Sequence, residues 1–112
     1  MATVKKGDTV IINDLEIADS FFKRLLGLMY RKSMGENHGL LLVPCNQIHT
    51  FGMKFPIDAL FLSCDYVIIQ MEKSIKPHKV LKTVKNSNYV LELPAGKIEK
   101  FGLGVGDKLV VQ

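Results

Sequence analysis

The 112-residue sequence lacks the features that mark membrane-spanning, secreted or disulfide-rich proteins. No stretch approaches the roughly 18 consecutive apolar residues that a membrane-spanning helix needs. The basic N-terminus is not followed by the apolar core of a signal peptide. Only two cysteines are present, Cys45 and Cys64, and they do not form a Cys-x-x-Cys pair. We therefore expect a cytoplasmic protein with free thiols and no membrane partner.

Length and composition favour a single domain over residues 1–112. Hydrophobic residues make up 47% of the chain, which is enough for one core. The formal net charge is +4, and the lysines are spread along the chain with a loose concentration at 73–85. The stretch 73–79 is a candidate anion site, but it lacks the interleaved aromatic side chains on which nucleic-acid bases stack.

Short strands separated by turn residues dominate the pattern. We predict strands at 9–12, 39–43, 89–93 and 109–111, and a hairpin formed by 57–62 and 66–71. In the strand 89–93, alternation places Tyr89, Leu91 and Leu93 on one face and Val90 and Glu92 on the other. The expected fold class is mainly β, a small single-domain β-sandwich or partly open barrel.

One amphipathic helix is expected at about residues 19–29. Six apolar residues recur there at helical spacing: Phe21, Phe22, Leu25, Leu26, Leu28 and Met29. Asp19 or Ser20 can cap its first turn. Gly27 would cost about 1 kcal/mol relative to alanine inside a helix. We expect the close approach of another backbone to offset this cost. We expect this helix to cover an open edge or end of the sheet, and a short helical turn at about 97–101 to end at Gly102.

The segment 45–58 gathers polar residues between two apolar strands. In this segment His49 could act as a base or metal ligand, Thr50 could donate a hydrogen bond, and Asp58 could orient the imidazole. If Asp58 points inward it needs a partner, and Arg24 is the obvious one. We predict a ligand site of Arg24, His49, Thr50 and Asp58, with His49 and Asp58 as catalytic candidates. A structural histidine and a buried structural ion pair are the alternatives.

Other residues support weaker hypotheses. Cys45 lies four residues before His49 and could be a nucleophile, although a small buried cysteine is commoner. The three histidines are far apart and lack the spacing of zinc ligands, so we predict no metal site and no cofactor. Met29 and Met53 are interpreted as core residues that fill gaps.

Separated motifs occur in order along nearly the whole chain: 24–29 (RLLGLM), 39–42 (GLLL), 48–53 (IHTFGM), 56–58 (PID), 90–96 (VLELPAG) and 106–107 (GD). Together they resemble a widespread bacterial and archaeal family catalogued as domain of unknown function 192. The resemblance implies a small β-sandwich-like domain, and it carries over no established reaction, cofactor or partner. The family-like positions are Arg24, Gly27, Met29, His49, Thr50, Met53, Asp58, Glu92 and Gly96. Tyr66 stands where the family often has glycine, which leaves the turn type of the hairpin open.

Three functional hypotheses follow from the predicted site and the basic charge. The favoured one is a binding or accessory domain in which the four site residues line a shallow pocket for a small polar or anionic ligand. The second is a metal-assisted or acid/base hydrolase-like enzyme with His49 as base, Asp58 as orienting residue or ligand, and Arg24 stabilising an anion. The third, ranked below the other two, is a nucleic-acid-binding domain. It requires residues 73–85 to join Arg31 and Lys100 in one patch. The sequence leaves the ligand, the reaction and the oligomeric state open.

Overall fold

A computed structural model describes residues 2–112 as one curled, seven-stranded sheet with two short helices. The strands are β1 (Ala2–Lys6), β2 (Thr9–Ala18), β3 (His38–Leu42), β4 (Ile57–Leu62), β5 (Ile68–Ile75), β6 (Tyr89–Pro94) and β7 (Val110–Val111). The helices are α1 (Phe21–Leu26) and α2 (Lys97–Lys100). The strand order is β5-β4-β6-β3-β2-β1-β7, and every neighbouring pair is antiparallel except β2 and β3. No helix within residues 2–112 has the length and apolar character needed to cross a membrane.

The two edges of the sheet approach each other beyond the ends of β5 and β7. Val67 and Lys108 form an isolated antiparallel bridge there. Ile68 donates its N–H to the carbonyl of Asp107 and accepts the N–H of Gly106, at 2.9 and 2.8 Å. The curled sheet is therefore a half-barrel, which confirms the prediction of a mainly β fold with a partly open barrel.

Strand alternation divides the buried core between the two faces of the sheet. The α2 face carries Leu41, Leu60 and Leu91 in one cluster with Ile98 of α2. The opposite side, the loop face, is covered by the connections between strands; its buried apolar residues include Leu40, Ala59, Phe61 and Val90 of the sheet and Leu28, Ile48, Met53 and Val84 of the connections. Along β6, neighbouring residues lie in different clusters, as the predicted alternation requires.

Helix α1 is shorter than predicted and buries none of its residues. Ser20 caps it as predicted, accepting a hydrogen bond from the N–H of Lys23 at 3.1 Å. Gly27 ends it with φ 46° and ψ −124°, a conformation that favours glycine. This backbone conformation, rather than the expected close approach of another backbone, explains the glycine. Phe21 and Phe22 are 74% and 66% exposed, so the apolar face of the helix is not buried against the sheet.

The hairpin formed by β4 and β5 is confirmed and explains the unusual residue in its turn. Tyr66 has φ 62°, a left-handed conformation that glycine adopts more readily. Its ring stacks on that of Tyr89, with centroids 4.6 Å apart and an interplanar angle of 13°. This aromatic contact offsets part of the backbone strain at a non-glycine residue.

Candidate functional site

Asp58 is a structural residue on the α2 face. Its Oδ1 accepts the backbone N–H of Ser74 at 2.9 Å, and its Oδ2 accepts those of Gly96 and Ile98 at 3.1 and 3.0 Å. The residue is 1% exposed, and these three hydrogen bonds offset the free-energy cost of burying the carboxyl group. Asp58 thus joins β4 to β5 and to the start of α2. The predicted ion pair with Arg24 is not formed.

Thr50 is fully buried and holds two connections together. Its hydroxyl donates to the carbonyl of Lys76 at 2.7 Å and accepts from the N–H of Lys79 at 2.9 Å. The backbone N–H of Thr50 donates to the carbonyl of Lys79 at 2.8 Å. Since these contacts occupy the hydroxyl, we do not retain Thr50 as a ligand-binding residue.

Arg24 and His49 both line a cleft of about 470 Å³ on the loop face. The walls are mainly apolar and come from α1 and the connections, among them Leu25, Leu28, Met29, Ile48 and Met53. A volume of this size is within the range of small-molecule sites, which combine apolar walls with a few placed polar groups. The structure therefore brings together two of the four predicted site residues.

Glu92 lines the same cleft from the sheet and is the polar residue that the predicted site omitted. It lies in β6 opposite Leu40 of β3 and Ala59 of β4. Glu92 is 3% exposed, and its carboxyl group makes no hydrogen bond or ion pair within residues 2–112. No fully buried side-chain oxygen in this part of the chain lacks a partner, so the carboxyl oxygens of Glu92 retain access to the cleft. Its signal in the sequence is a single acidic residue in an otherwise apolar strand.

Burial determines the charge of Glu92. It raises the pKa of this carboxyl from 4.5 to about 8, and the positive charge of Arg31 opposes only part of that rise. At neutral pH the carboxyl is therefore mostly protonated. A neutral carboxyl can donate one hydrogen bond and accept others, whereas a carboxylate only accepts. Glu92 can accordingly act as donor and acceptor inside an apolar cleft.

Arg24 and Cys45 form part of the wall near Glu92. The Nη1 of Arg24 donates to the carbonyl of Val43 at 3.0 Å, which positions the half-buried guanidinium. The Sγ of Cys45 donates to the carbonyl of Gln47 at 3.2 Å. Burial raises the pKa of this thiol, so it stays protonated at neutral pH. Since the thiolate is the nucleophile, this environment does not support Cys45 as a reactive group.

His49 lies where the main cleft meets a smaller one of about 330 Å³ that Phe51 and Val80 also line. The Nδ1 of His49 accepts the backbone N–H of Phe51 at 3.2 Å. The Nε2 therefore carries the proton in the neutral ring and can donate to a ligand. Within residues 2–112 no carboxylate contacts the imidazole, so the acid/base pair predicted with Asp58 is not assembled.

The arrangements that the two alternative hypotheses require are also not assembled. Within residues 2–112, no three His, Cys, Asp or Glu side chains are grouped to hold a metal ion. Arg31, which the nucleic-acid hypothesis required as a free cation, pairs with Glu16 at 2.8 Å. That hydrogen bond lowers the pKa of the Glu16 carboxyl. Lys100 lies 3.5 Å from Glu36. Both cations expected to join residues 73–85 are thus paired with acids.

Comparison with known sequences identifies relatives along almost the whole chain. The family model described as DUF192, Uncharacterized ACR, matches residues 2–111. A UPF0127 protein of Pyrococcus furiosus is 32% identical over 97% of this chain and 95% of its own length. A UPF0127 protein of Pyrococcus horikoshii is 31% identical over 86% of this chain and 85% of its own. Neither relative's name states an activity.

Two solved structures share the architecture. A protein of Sinorhizobium meliloti 1021 described as a candidate transcription regulator is 31% identical, with a TM-score of 0.80 over 87% of this chain and 80% of that chain. A protein of unknown function from Novosphingobium aromaticivorans is 22% identical, with a TM-score of 0.85 over 97% and 82%; at that identity the likeness supports the fold alone. Sequence and fold agree along the chain, and this protein belongs to the DUF192 family.

Proposed function

We propose that this protein binds a small ligand with an apolar body and a polar or anionic end group in the cleft on the loop face. The observation that carries the proposal is Glu92, a buried carboxyl without a protein partner that reaches the cleft. Burying a polar group without a hydrogen bond costs free energy, and a ligand that hydrogen-bonds to Glu92 would remove that cost. A cytoplasmic location is part of the same proposal.

The lining of the cleft defines the chemistry of the ligand. Leu25, Leu28 and Met53 offer an apolar surface for the body of the ligand. The guanidinium of Arg24 keeps N–H groups beyond the one bound to Val43, and these can donate to a carboxylate or carbonyl. Protonated Glu92 can donate to a second acceptor oxygen. These donors favour a carboxylic acid or amide over an amine of the same size.

Three unbranched probes with six carbons in total and different end groups test this proposal: hexanoate, hexanamide and hexylamine. Titration calorimetry at pH 7 should detect tighter binding of hexanoate and hexanamide than of hexylamine. Replacement of Arg24 by glutamine should lower the affinity for hexanoate by roughly tenfold or more, because a hydrogen bond to a charged group contributes about 1.5–3 kcal/mol. The affinity for hexanamide should fall less, since the end group of hexanamide is neutral.

Two variants with the same glutamate-to-glutamine change form a matched pair of test and control. Glu92→Gln changes the cleft, whereas Glu99→Gln changes an exposed residue of α2. We expect Glu92→Gln to alter the order of affinities among the three probes and Glu99→Gln to leave it unchanged. Absence of binding by all three probes, or equal effects of the two substitutions, would contradict the proposal.

A further inference from the structure

Basic residues are concentrated in α1, at the end of β5 and in the connections that cover the loop face. We define the basic cover as residues 20–35, 43–56 and 73–88. It contains ten of the 15 Lys and Arg residues and none of the 11 Asp and Glu residues. The remainder of the chain therefore holds five basic and all eleven acidic residues. A molecule with a net charge of only +4 thus separates into a strongly positive part and a negative part.

Backbone hydrogen bonds make the basic cover one continuous layer. The N–H of Leu81 donates to the carbonyl of Ile48 at 3.0 Å, and that of Val84 donates to Asn46 at 2.8 Å. The N–H of Tyr30 donates to the carbonyl of Gly52 at 3.0 Å, which joins the connection after α1 to the same layer. The three segments therefore act as one surface, although they are far apart in sequence.

Most of the positive charge of the basic cover is exposed. Eight of its ten basic residues are exposed lysines: Lys23, Lys32, Lys54, Lys73, Lys76, Lys79, Lys82 and Lys85. Seven of them, all except Lys23, have no acidic side chain within 4 Å in residues 2–112. These seven lysines consequently present charge that no ion pair within the described chain neutralises.

Large apolar side chains are exposed on the same layer: Phe21, Phe22, Leu25, Leu26, Tyr30, Phe51 and Val80. Residues of α1 line one side of the main cleft, and Phe51 and Val80 line the adjoining smaller cleft. The two groups thus flank His49, which lines both clefts. Exposed apolar residues grouped in this way mark an interaction site.

We propose that the basic cover docks on the surface of an anionic lipid bilayer, with the exposed apolar side chains entering the boundary between headgroups and acyl chains. Charge complementarity supports this occupant, because each lysine near an anionic membrane strengthens binding. Apolar side chains add binding by leaving water. Peripheral docking requires no spanning helix, so it is compatible with the absence of such a helix within residues 2–112.

The same residues favour a bilayer over a nucleic acid. Arginine makes the bidentate contacts typical of base recognition, but the guanidinium of Arg24 is half-buried in the wall of the cleft and Arg31 is bound to Glu16. The exposed, unpaired cations of the basic cover are lysines, which attract phosphate without selecting sequence. Exposed leucine and valine side chains contribute little against a phosphate backbone, whereas they partition into the acyl region.

Vesicle sedimentation tests the proposal with the full chain. The protein should sediment with vesicles of phosphatidylcholine and phosphatidylglycerol in about a 2:1 ratio, but not with phosphatidylcholine alone. Binding should fall when the salt concentration rises from about 0.05 to about 0.5 M, because salt screens exposed charges. Failure to sediment with the anionic vesicles at low salt would overturn the proposal.

Surface variants identify which side of the molecule binds. The triple variant Lys76→Gln, Lys79→Gln and Lys82→Gln should lower the partition coefficient by roughly 100-fold, since each lysine contributes about fivefold. Phe22→Ser should lower it by roughly tenfold through lost apolar burial. Phe22 does not line the cleft, so this test is independent of the ligand proposed above.

Two controls outside the basic cover match these changes. Val105 is exposed to a similar extent as Phe22, and Lys108 is also exposed. Val105→Ser and Lys108→Gln should leave the partition coefficient within about twofold of the wild-type value, because neither lies on the proposed surface. Equal losses in the controls would overturn the proposal. So would binding to a DNA duplex that is tighter than vesicle binding and unaffected by Phe22→Ser.

Discussion

Asp58 and Glu92 are both buried carboxyl residues on neighbouring strands of one sheet, yet their surroundings differ. Asp58 faces the α2 side and accepts hydrogen bonds from three backbone N–H groups. Glu92 faces the loop side, has no hydrogen-bond partner within residues 2–112 and lines a cleft. Although both residues are buried, the carboxyl group of Asp58 has its hydrogen bonds satisfied within the protein, and that of Glu92 is available to a ligand. The difference lies in the donors that the rest of the fold places opposite each residue.

The two faces of the sheet differ in the same way. On the α2 face, Asp58 accepts hydrogen bonds from the start of α2, and this helix packs Ile98 against strand residues. On the loop face, connections without regular structure complete the core but leave a cleft beside α1. The irregular connections of the loop face thus leave a carboxyl group without a partner and apolar side chains exposed. On the α2 face, by contrast, the carboxyl group of Asp58 has all its partners. Three substitutions test this contrast, in order of decreasing expected effect.

The largest effect is expected for Asp58→Ala. It leaves three backbone N–H groups without their acceptor, and each such loss costs about 1–3 kcal/mol. The free energy of unfolding should fall by roughly 3 kcal/mol or more. Urea unfolding followed by far-UV circular dichroism measures this, since the chain has no tryptophan for fluorescence. Asp65→Ala, at an exposed position of the hairpin turn, should change stability by under about 0.5 kcal/mol. Similar losses in the two variants would contradict a structural role for Asp58.

The second-largest effect is expected for Glu92, which makes the free energy of unfolding depend on pH. Its pKa is about 8 in the folded protein and 4.5 without the fold. Between these values the folded protein keeps a proton that the unfolded chain has released. The stability contribution is therefore complete below pH 4.5 and is lost as the pH rises through 8. The free energy of unfolding should fall by up to about 1.4 kcal/mol for each pH unit in this window.

Glu92→Gln removes this ionisation and isolates its effect. Between pH 5.5 and pH 7.5, the stability of the wild type relative to Glu92→Gln should fall by roughly 2–3 kcal/mol. Urea unfolding at both pH values measures the change. Glu99→Gln, in which an exposed glutamate is replaced, should follow the wild-type profile. Parallel profiles for wild type and Glu92→Gln would show that the carboxyl is charged throughout and already has a partner.

The smallest effect is expected for Gly27→Ala, which tests where α1 ends. Alanine is strained at φ 46°, so stability should fall by roughly 1–2 kcal/mol. If the helix instead continued to residue 29, the same substitution would raise stability by about 1 kcal/mol. The sign of the change in urea unfolding decides between the two. Gly35→Ala is the control, because Gly35 is exposed and outside the positive-φ region. The stability of this variant should equal that of the wild type or exceed it slightly.

Local sequence patterns predicted the strands and the presence of the helix, but they did not predict that the apolar face of the helix is exposed. Alternation in β6 correctly separated Leu91 and Leu93 from Val90, because alternation is a property of the strand itself. The apolar spacing of residues 21–29 predicted a buried helix face, but packing depends on what lies opposite. The connections already cover the sheet at Ile48 and Val84, and α1 is left exposed.

Two of the four residues predicted for the site share a cleft, whereas the other two are engaged by residues that are distant in sequence. Arg24 and His49 do line one cleft. Asp58 and Thr50 were chosen for their polar side chains, but their partners lie 16 to 40 residues away in sequence. No local pattern indicates those partners. Glu92 was placed on the correct strand, and its lack of a partner became visible only in the assembled fold.

By itself, the sequence determined the mainly β architecture, the turns, the face to which each β6 side chain points and the family. These properties depend on strand periodicity, on residues that tolerate turn conformations and on motif order. The tertiary structure decided which buried carboxyl is satisfied, where the helix lies and how three basic segments become one surface. Those outcomes depend on long-range hydrogen bonds and packing, which arise only after the chain has closed its sheet.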